Sequence, residues 1–170
     1  MKIIQEYFWK KIELPSMYII TTNGIIGDND ELVMGLGIAR EATKKIKGIK
    51  QICGKIIKEK GMPIDNHNSK FLYYFLPILE NKGKNFFGIF QVKLDWRKGA
   101  SLDIIEKSCM VLSEYIRKNP NINYRMNFPG VGAGKLSIKE VLPILEKYLY
   151  DKNIIICTSE NTYSEYIKLN

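Results

Sequence analysis

Apolar positions recur with two different periods along this chain, and the changes of period predict its elements. Runs rich in Ile and Tyr over Lys2 to Phe8 and Met17 to Thr22 read as two strands separated by Pro15. The intervening Trp9-Lys-Lys-Ile-Glu-Leu14 shows neither period. After Thr22 the polar, glycine-bearing segment Asn23 to Glu31 reads as a loop. Ile38, Ala42, Ile46 and Ile49 then recur at helical spacing with Lys44, Lys45 and Lys47 between them. A second helix is expected from Gln51 to Lys60, stopped by Gly61 and Pro63. Beyond the polar turn Asp65 to Ser69, two aromatic runs, Lys70 to Leu76 and Asn85 to Leu94, predict strands joined across Asn81 to Lys84.

In the second half, Ser101 is placed to cap a helix. Its residues Leu102, Ile105, Cys109, Leu112 and Ile116 share one face until Asn119-Pro120 stops it. Asn123 to Phe128 predicts a further strand. Ser137 and Glu140 have the spacing of a capping box for a helix through Tyr148, with Pro143 inside it, and Asn153 to Cys157 reads as a buried strand. Strands alternating with helices predict an α/β fold: a mixed sheet covered by helices on both faces. No repeat or linker interrupts residues 1–170, which are expected to form a single domain.

Within that pattern the stretch Phe128-Pro-Gly-Val-Gly-Ala-Gly134 stands out, because three glycines at alternate positions join a predicted strand to a predicted helix. Glycine lets backbone amides approach an anion without Cβ obstruction, and a following helix N-terminus adds favourable partial charge. A second glycine pair, Gly35 and Gly37, lies at the mouth of the Ile38 helix. In sheets of this type ligands collect beyond the strand ends. Three loops that follow predicted strands are unusual here, those after Thr22, Gln91 and Phe128.

Composition narrows the classes. A hydrophobic fraction of 45% and a charged fraction of 26% are those of a globular protein. No run approaches the roughly 18 apolar residues that span a bilayer, and the first residues lack the apolar region of a signal peptide, so a cytoplasmic location and no membrane partner are expected. Cys53, Cys109 and Cys157 are scattered among apolar neighbours and read as core fillers. With His67 the one histidine, a zinc site is not expected. Asp28, Asp30 and Glu31 lack the twelve-residue ligand spacing of a calcium loop. The net charge of +8 suits an anionic partner, although the lysines are spread singly over predicted helix faces.

Taken together, Thr-Thr-Asn23-Gly, Met-Gly-Leu-Gly-Ile-Ala39, Gln-Val-Lys-Leu-Asp-Trp-Arg97 with Ser101, and Asn-Phe-Pro-Gly-Val-Gly-Ala-Gly134 resemble a macrodomain. The resemblance runs in consistent order from Tyr18 to Tyr150. It is nearest to the branch of antitoxin glycohydrolases that remove ADP-ribose from DNA, together with the terminal ADP-ribose protein glycohydrolases. It implies a three-layer α/β/α sandwich that binds ADP-ribose in a cleft and needs no cofactor or metal. Asn23 would hold the distal ribose. Thr22 and Gly24 flank it, Met34, Gly35, Gly37 and Ile38 would wrap it, and Pro129, Gly130, Val131, Gly132, Ala133 and Gly134 would hold the diphosphate. Lys93 matches the lysine proposed in that branch to act on the anomeric carbon.

Trp96 and Arg97 read as braces of their loop, and the run Phe71 to Phe75 as core. Three departures accompany the resemblance. Phe8-Trp-Lys-Lys11 lacks the acid that recognises adenine in many macrodomains, the loop after Asn23 is longer and more acidic, and the glycine loop is shorter, without the aspartate that assists turnover in the terminal glycohydrolases. The expected activity is removal of ADP-ribose from a modified macromolecule, DNA favoured over protein, by a monomer. The alternatives are a phosphatase acting on ADP-ribose 1″-phosphate, or a module that binds or sequesters a nucleotide without turnover.

Overall fold

The computed structural model describes residues 1–12, 15–67, 69–80 and 85–169. A six-stranded mixed sheet forms its middle layer. The strands are β1 (Lys2–Gln5), β2 (Ser16–Thr22), β5 (Phe75–Glu80), β6 (Asn85–Gln91), β7 (Asn123–Asn127) and β8 (Ile154–Thr158), in spatial order β1-β8-β7-β2-β6-β5. All neighbouring pairs are parallel except β5 with β6. The C-terminal ends of five strands therefore open on one edge, where ligand loops belong in such a sheet. The expected α/β sandwich is the fold observed.

Alternation along each strand divides the core. Met17, Ile19, Tyr124, Met126, Ile154 and Ile156 face α3 (Leu102–Lys118) and α4 (Ile138–Leu149), while Ile20 and Ile89 face α1 (Gly37–Lys45) and α2 (Ile49–Lys60). A strand buried on both faces needs an unbroken apolar run, and Met17 to Ile20 supply one. The three cysteines are buried as expected; burial raises the Cys53 thiol to about 12 and Cys157 to about 11. Both halves of the Ser137–Glu140 capping box are formed.

Several expected boundaries move, among them the strand over Asn85 to Leu94, which ends at Gln91, and one helix appears that was not expected. The strand expected over Lys2 to Phe8 ends at Gln5, and Lys10 N–H closes a turn on Tyr7 O at 3.1 Å. The first helix ends at Lys45 with Ile46 as its C-cap, and Gly48, at φ +72°, is the N-cap of the next, so Ile49 belongs to α2. The run Lys70 to Leu76 is not one strand. Its β4 portion (Phe71–Leu72) pairs with β3 (Met62–Pro63) in a separate ribbon, and the chain turns at Tyr74, φ +58°. There the buried Gln91 carboxamide takes over the work of a ladder, accepting from Tyr73 N and Tyr74 N (3.0 and 3.2 Å) and donating to Phe71 O (2.9 Å). The last element, α5 (Glu160–Ile167), is capped by Ser159 and was not expected; it buries no residue, so it has no apolar stripe to read. The Asn81 to Lys84 connection lies outside the described residues.

A fully buried arginine, Arg125, sits in β7. Its Nη2 donates to the Glu6 carboxylate and to Tyr7 O (3.0 Å), which fastens the chain after β1 over the sheet; Nε and Nη1 have no partner among the described residues. The acidic loop is likewise tethered. Asp30 pairs with Lys58, and Glu31 pairs with Lys50 (3.6 Å) and accepts from Gln51, all three partners on α2.

Candidate functional site

Beyond the ends of β2, β6 and β7 lies a cleft of about 710 Å³ counted to its open mouth. Ten of the residues expected to form the site line it: Thr22, Asn23, Gly35, Gly37, Ile38, Lys93, Gly130, Val131, Ala133 and Gly134. They come from three separate loops.

One wall is built from 92–100 and 130–136 together. Gly130 and Gly132 have φ +75° and +77°, and the turn closes through Leu136 N–H to Gly130 O (3.1 Å) and Lys135 N–H to Gly132 O (2.9 Å). Lys93 staples the two segments. Its buried ammonium donates to Lys98 O (2.9 Å) and Ala133 O (3.1 Å), and Ala100 N–H reaches Gly134 O at 2.7 Å. Desolvation and the neighbouring Lys135 ammonium pull the Lys93 pKa below the ordinary lysine value, with Asp95 opposing. Asp95 itself is held far below the ordinary carboxylate range by hydrogen bonds from Arg97.

The opposite wall is the start of α1. Leu36 supplies no side-chain cap, so the first amides of the helix meet the cleft uncovered, with Gly37 at φ +55° turning the chain into the helix. Across from them, the amides of Val131, Ala133 and Gly134 donate to no backbone acceptor among the described residues, while Gly132 belongs to the parallel bridge between Val131 and Leu136. Both segments line the same cleft with amides that, among the described residues, have no partner in their own loops, and amides so placed suit a diphosphate.

Asn23 forms part of the floor. Its Nδ2 donates to Val33 O (2.7 Å) and its Oδ1 accepts from Ile25 N (2.9 Å), so the carboxamide also closes the 23–33 loop. One N–H and one lone-pair direction remain for a diol. Beneath it the Tyr73 hydroxyl donates to Asn23 O at 3.0 Å.

Four expected residues stand away from the cleft lining. Gly24 serves packing: a Cβ there would lie 2.1 Å from Phe71 O and 2.6 Å from Gln91 Nε2. Met34 and Pro129 are buried, Met34 in the α1/α2 core, and Gly132 is exposed beyond the lining. The structure adds Thr21, Val33, Leu36, Ala39, Val92, Trp96 and Asn127. Asn127 Oδ1 accepts from Thr21 Oγ1 at 3.1 Å across β7 and β2. Its place in the Asn-Phe-Pro-Gly motif was the available signal.

Asn127 and Ile38 also border a second cavity, over the ends of β1 and β8, lined by Glu6, Tyr7, Phe8, Glu41 and Thr158 among others. Both Glu6 oxygens are taken, by Lys10 and Arg125. Glu41 Oε2 accepts from Trp9 Nε1 at 2.9 Å. Nothing in the sequence pattern of α1 distinguished Glu41 from a solvated helix residue.

No family model matches the chain, and no curated protein matches it in sequence. Solved structures do match. The macrodomain of Thermus aquaticus DarG aligns over 92% of this chain and 97% of its own at TM-score 0.68 and 15% identity. The macrodomain of Mycobacterium tuberculosis DarG aligns over 93% and 97% at 0.64 and 19%. Thermosipho africanus DarTG in complex with ADP-ribose aligns over 86% of this chain at 0.65 and 17%, and this chain spans 38% of its length. At such identities the likeness speaks for the architecture: the chain has the macrodomain fold.

Proposed function

We propose that the cleft binds ADP-ribose and that the chain hydrolyses the bond joining ADP-ribose to a modified macromolecule, nucleic acid favoured over protein. One observation carries this reading. A buried lysine of lowered pKa stands in the wall of a cleft that is also lined by the uncapped start of α1 and by the glycine turn. The amides suit the diphosphate, Asn23 the distal ribose, and Lys93 the anomeric carbon. The second cavity suits the adenine, with Glu41 offering the acid that the segment after β1 lacks. In its neutral form Lys93 attacks the anomeric carbon as the modified group departs, and water then releases ADP-ribose.

A second reading rests on the same lysine. Its two carbonyl acceptors favour the ammonium, which would leave Lys93 as a staple and anion partner in a module that binds without turnover. Calorimetry with ADP-ribose, and product analysis on ADP-ribosylated DNA, ADP-ribosylated protein and ADP-ribose 1″-phosphate, separate the possibilities. Binding with product from DNA, lost in Lys93→Ala and Asn23→Ala, supports hydrolysis. Binding with no product from any substrate supports the module. Product from the 1″-phosphate alone would mark a phosphatase, and full activity in both variants would overturn the mechanism.

A further inference from the structure

Trp96 and Arg97 are adjacent in sequence but do different things in the structure. Arg97 braces its turn. Its Nε and Nη2 donate to the two oxygens of the buried Asp95 carboxylate (2.9 and 2.5 Å), its own N–H donates to Asp95 Oδ1 (3.0 Å), and Lys98 N–H closes the turn on Asp95 O (3.1 Å). Trp96 makes no such bonds. The indole is 47% exposed at the lip of the cleft beside Lys93, and no hydrogen bond engages its Nε1 among the described residues. The Arg97 guanidinium lies 5.9 Å from the ring centroid.

A large aromatic on a turn closed by several hydrogen bonds, half exposed at the mouth of a cleft, is placed where a flat group can stack on it. What stacks should be flat, and should carry negative charge. Lys98 belongs to the same turn, Lys135 lies close enough to perturb Lys93, and Lys70 close enough to perturb Asp95, whose carboxylate is already spent on Arg97.

We propose that Trp96 and Arg97 form the polymer-side subsite of the cleft, a stacking platform for a base of single-stranded nucleic acid carrying the ADP-ribose, with Lys98 and Lys135 meeting the flanking phosphates. The platform rests on the reading that the cleft holds ADP-ribose, and it adds the residue that selects what is attached beyond it. Aromatic stacking tolerates any base, so the platform selects polymer chemistry and leaves base sequence unread.

The test is a ratio of affinities. Calorimetry gives the affinity for free ADP-ribose, and anisotropy of a fluorescein-labelled single-stranded oligonucleotide bearing one ADP-ribose, read by stopped flow before turnover, gives the affinity for the conjugate. The wild-type protein is expected to hold the conjugate about tenfold or more tighter, the scale of one base stacked on an aromatic. Trp96→Ala should bring the ratio to within about twofold and Trp96→Tyr should keep most of it. An unchanged ratio in Trp96→Ala, or no advantage for the conjugate in the wild type, would overturn the platform while leaving the ADP-ribose cleft intact. A larger gain for an ADP-ribosylated peptide would assign the lip to protein. Failure of the wild type to bind ADP-ribose at all would instead remove the parent reading.

Discussion

At Gly134 an added Cβ would sit 2.2 Å from Gly130 O, whereas at Gly35, on the opposite side of the cleft, it would meet no atom within 4 Å. Both glycines line the same space, yet they answer to different demands. Gly134 is required by the protein, because the 130–136 turn folds back on itself and leaves no volume for a side chain. Gly35 is required by nothing in the protein. Its backbone lies outside the left-handed region, and a side chain there would enter open space at the edge of the cleft. One wall is thus constrained from within, by Lys93, Ala100 and its own carbonyls, and the other is kept bare. A bare wall leaves volume for the group proposed to bind there.

The stapled wall predicts the largest effect. Replacing Lys93 with Met keeps the length and apolar stem of the side chain and removes the ammonium. Turnover of ADP-ribosylated DNA is expected to fall roughly 10³-fold, as for loss of a residue acting directly on the reacting bond. Binding of ADP-ribose measured by calorimetry should fall far less. If binding collapses in step with turnover, the lysine acts chiefly as the staple between the walls' loops.

Next in size is the pH dependence. Burial and Lys135 depress the Lys93 pKa below its unfolded value of 10.5, so over the interval beneath 10.5 the unfolded chain binds the extra proton and this group's contribution to stability rises with pH. If the neutral amine attacks, turnover should rise by up to about tenfold per pH unit from neutrality to the depressed pKa, then level off. A rate that falls over the same range would mean that the ammonium is the working form. The Asp95–Arg97 brace does not confuse the readout, because its depressed carboxyl stays ionised until the pH drops well below 4.

The same wall contrasts with its neighbour in stability. Gly134→Ala forces the turn apart and is expected to cost about 2–3 kcal/mol in denaturant unfolding, the scale of overpacking. An unchanged midpoint would show that the 130–136 turn can open without penalty.

How much of this was legible in the sequence follows the same division. The sheet, the two faces of helices and the glycine loop could be read because they depend on local period and local turn chemistry: Met17 to Ile20, the Ser137–Glu140 box, Gly130 to Gly134. The split of Lys70 to Leu76 could not, since the acceptor that replaces its ladder is the side chain of Gln91, distant in sequence. Gly24 was assigned to ligand for the same reason; the groups that exclude a Cβ there, Phe71 O and Gln91 Nε2, arrive only on folding. Glu41 and Trp96 entered the two cavities through the placement of α1 and the 95–98 turn, which no periodicity encodes. Lys93 was found through its motif, but its bonds to Lys98 O and Ala133 O became visible only with the two loops side by side.

Gly35→Ala should give the smallest change and a telling one, because its two consequences have opposite signs. Alanine can adopt the backbone at this position, so loss of glycine's freedom in the unfolded chain should stabilise the protein slightly, by about 0.4–1 kcal/mol in denaturant unfolding. The added methyl meets no protein atom and projects into space that a ligand would use, so affinity for ADP-ribose should fall by about tenfold in calorimetry. A more stable protein that binds less well would separate the bare wall from the stapled one, where Gly134→Ala loses both properties together. Unchanged affinity would mean that the ligand leaves this side of the cleft empty, and that the absence of a side chain at Gly35 has no function in binding.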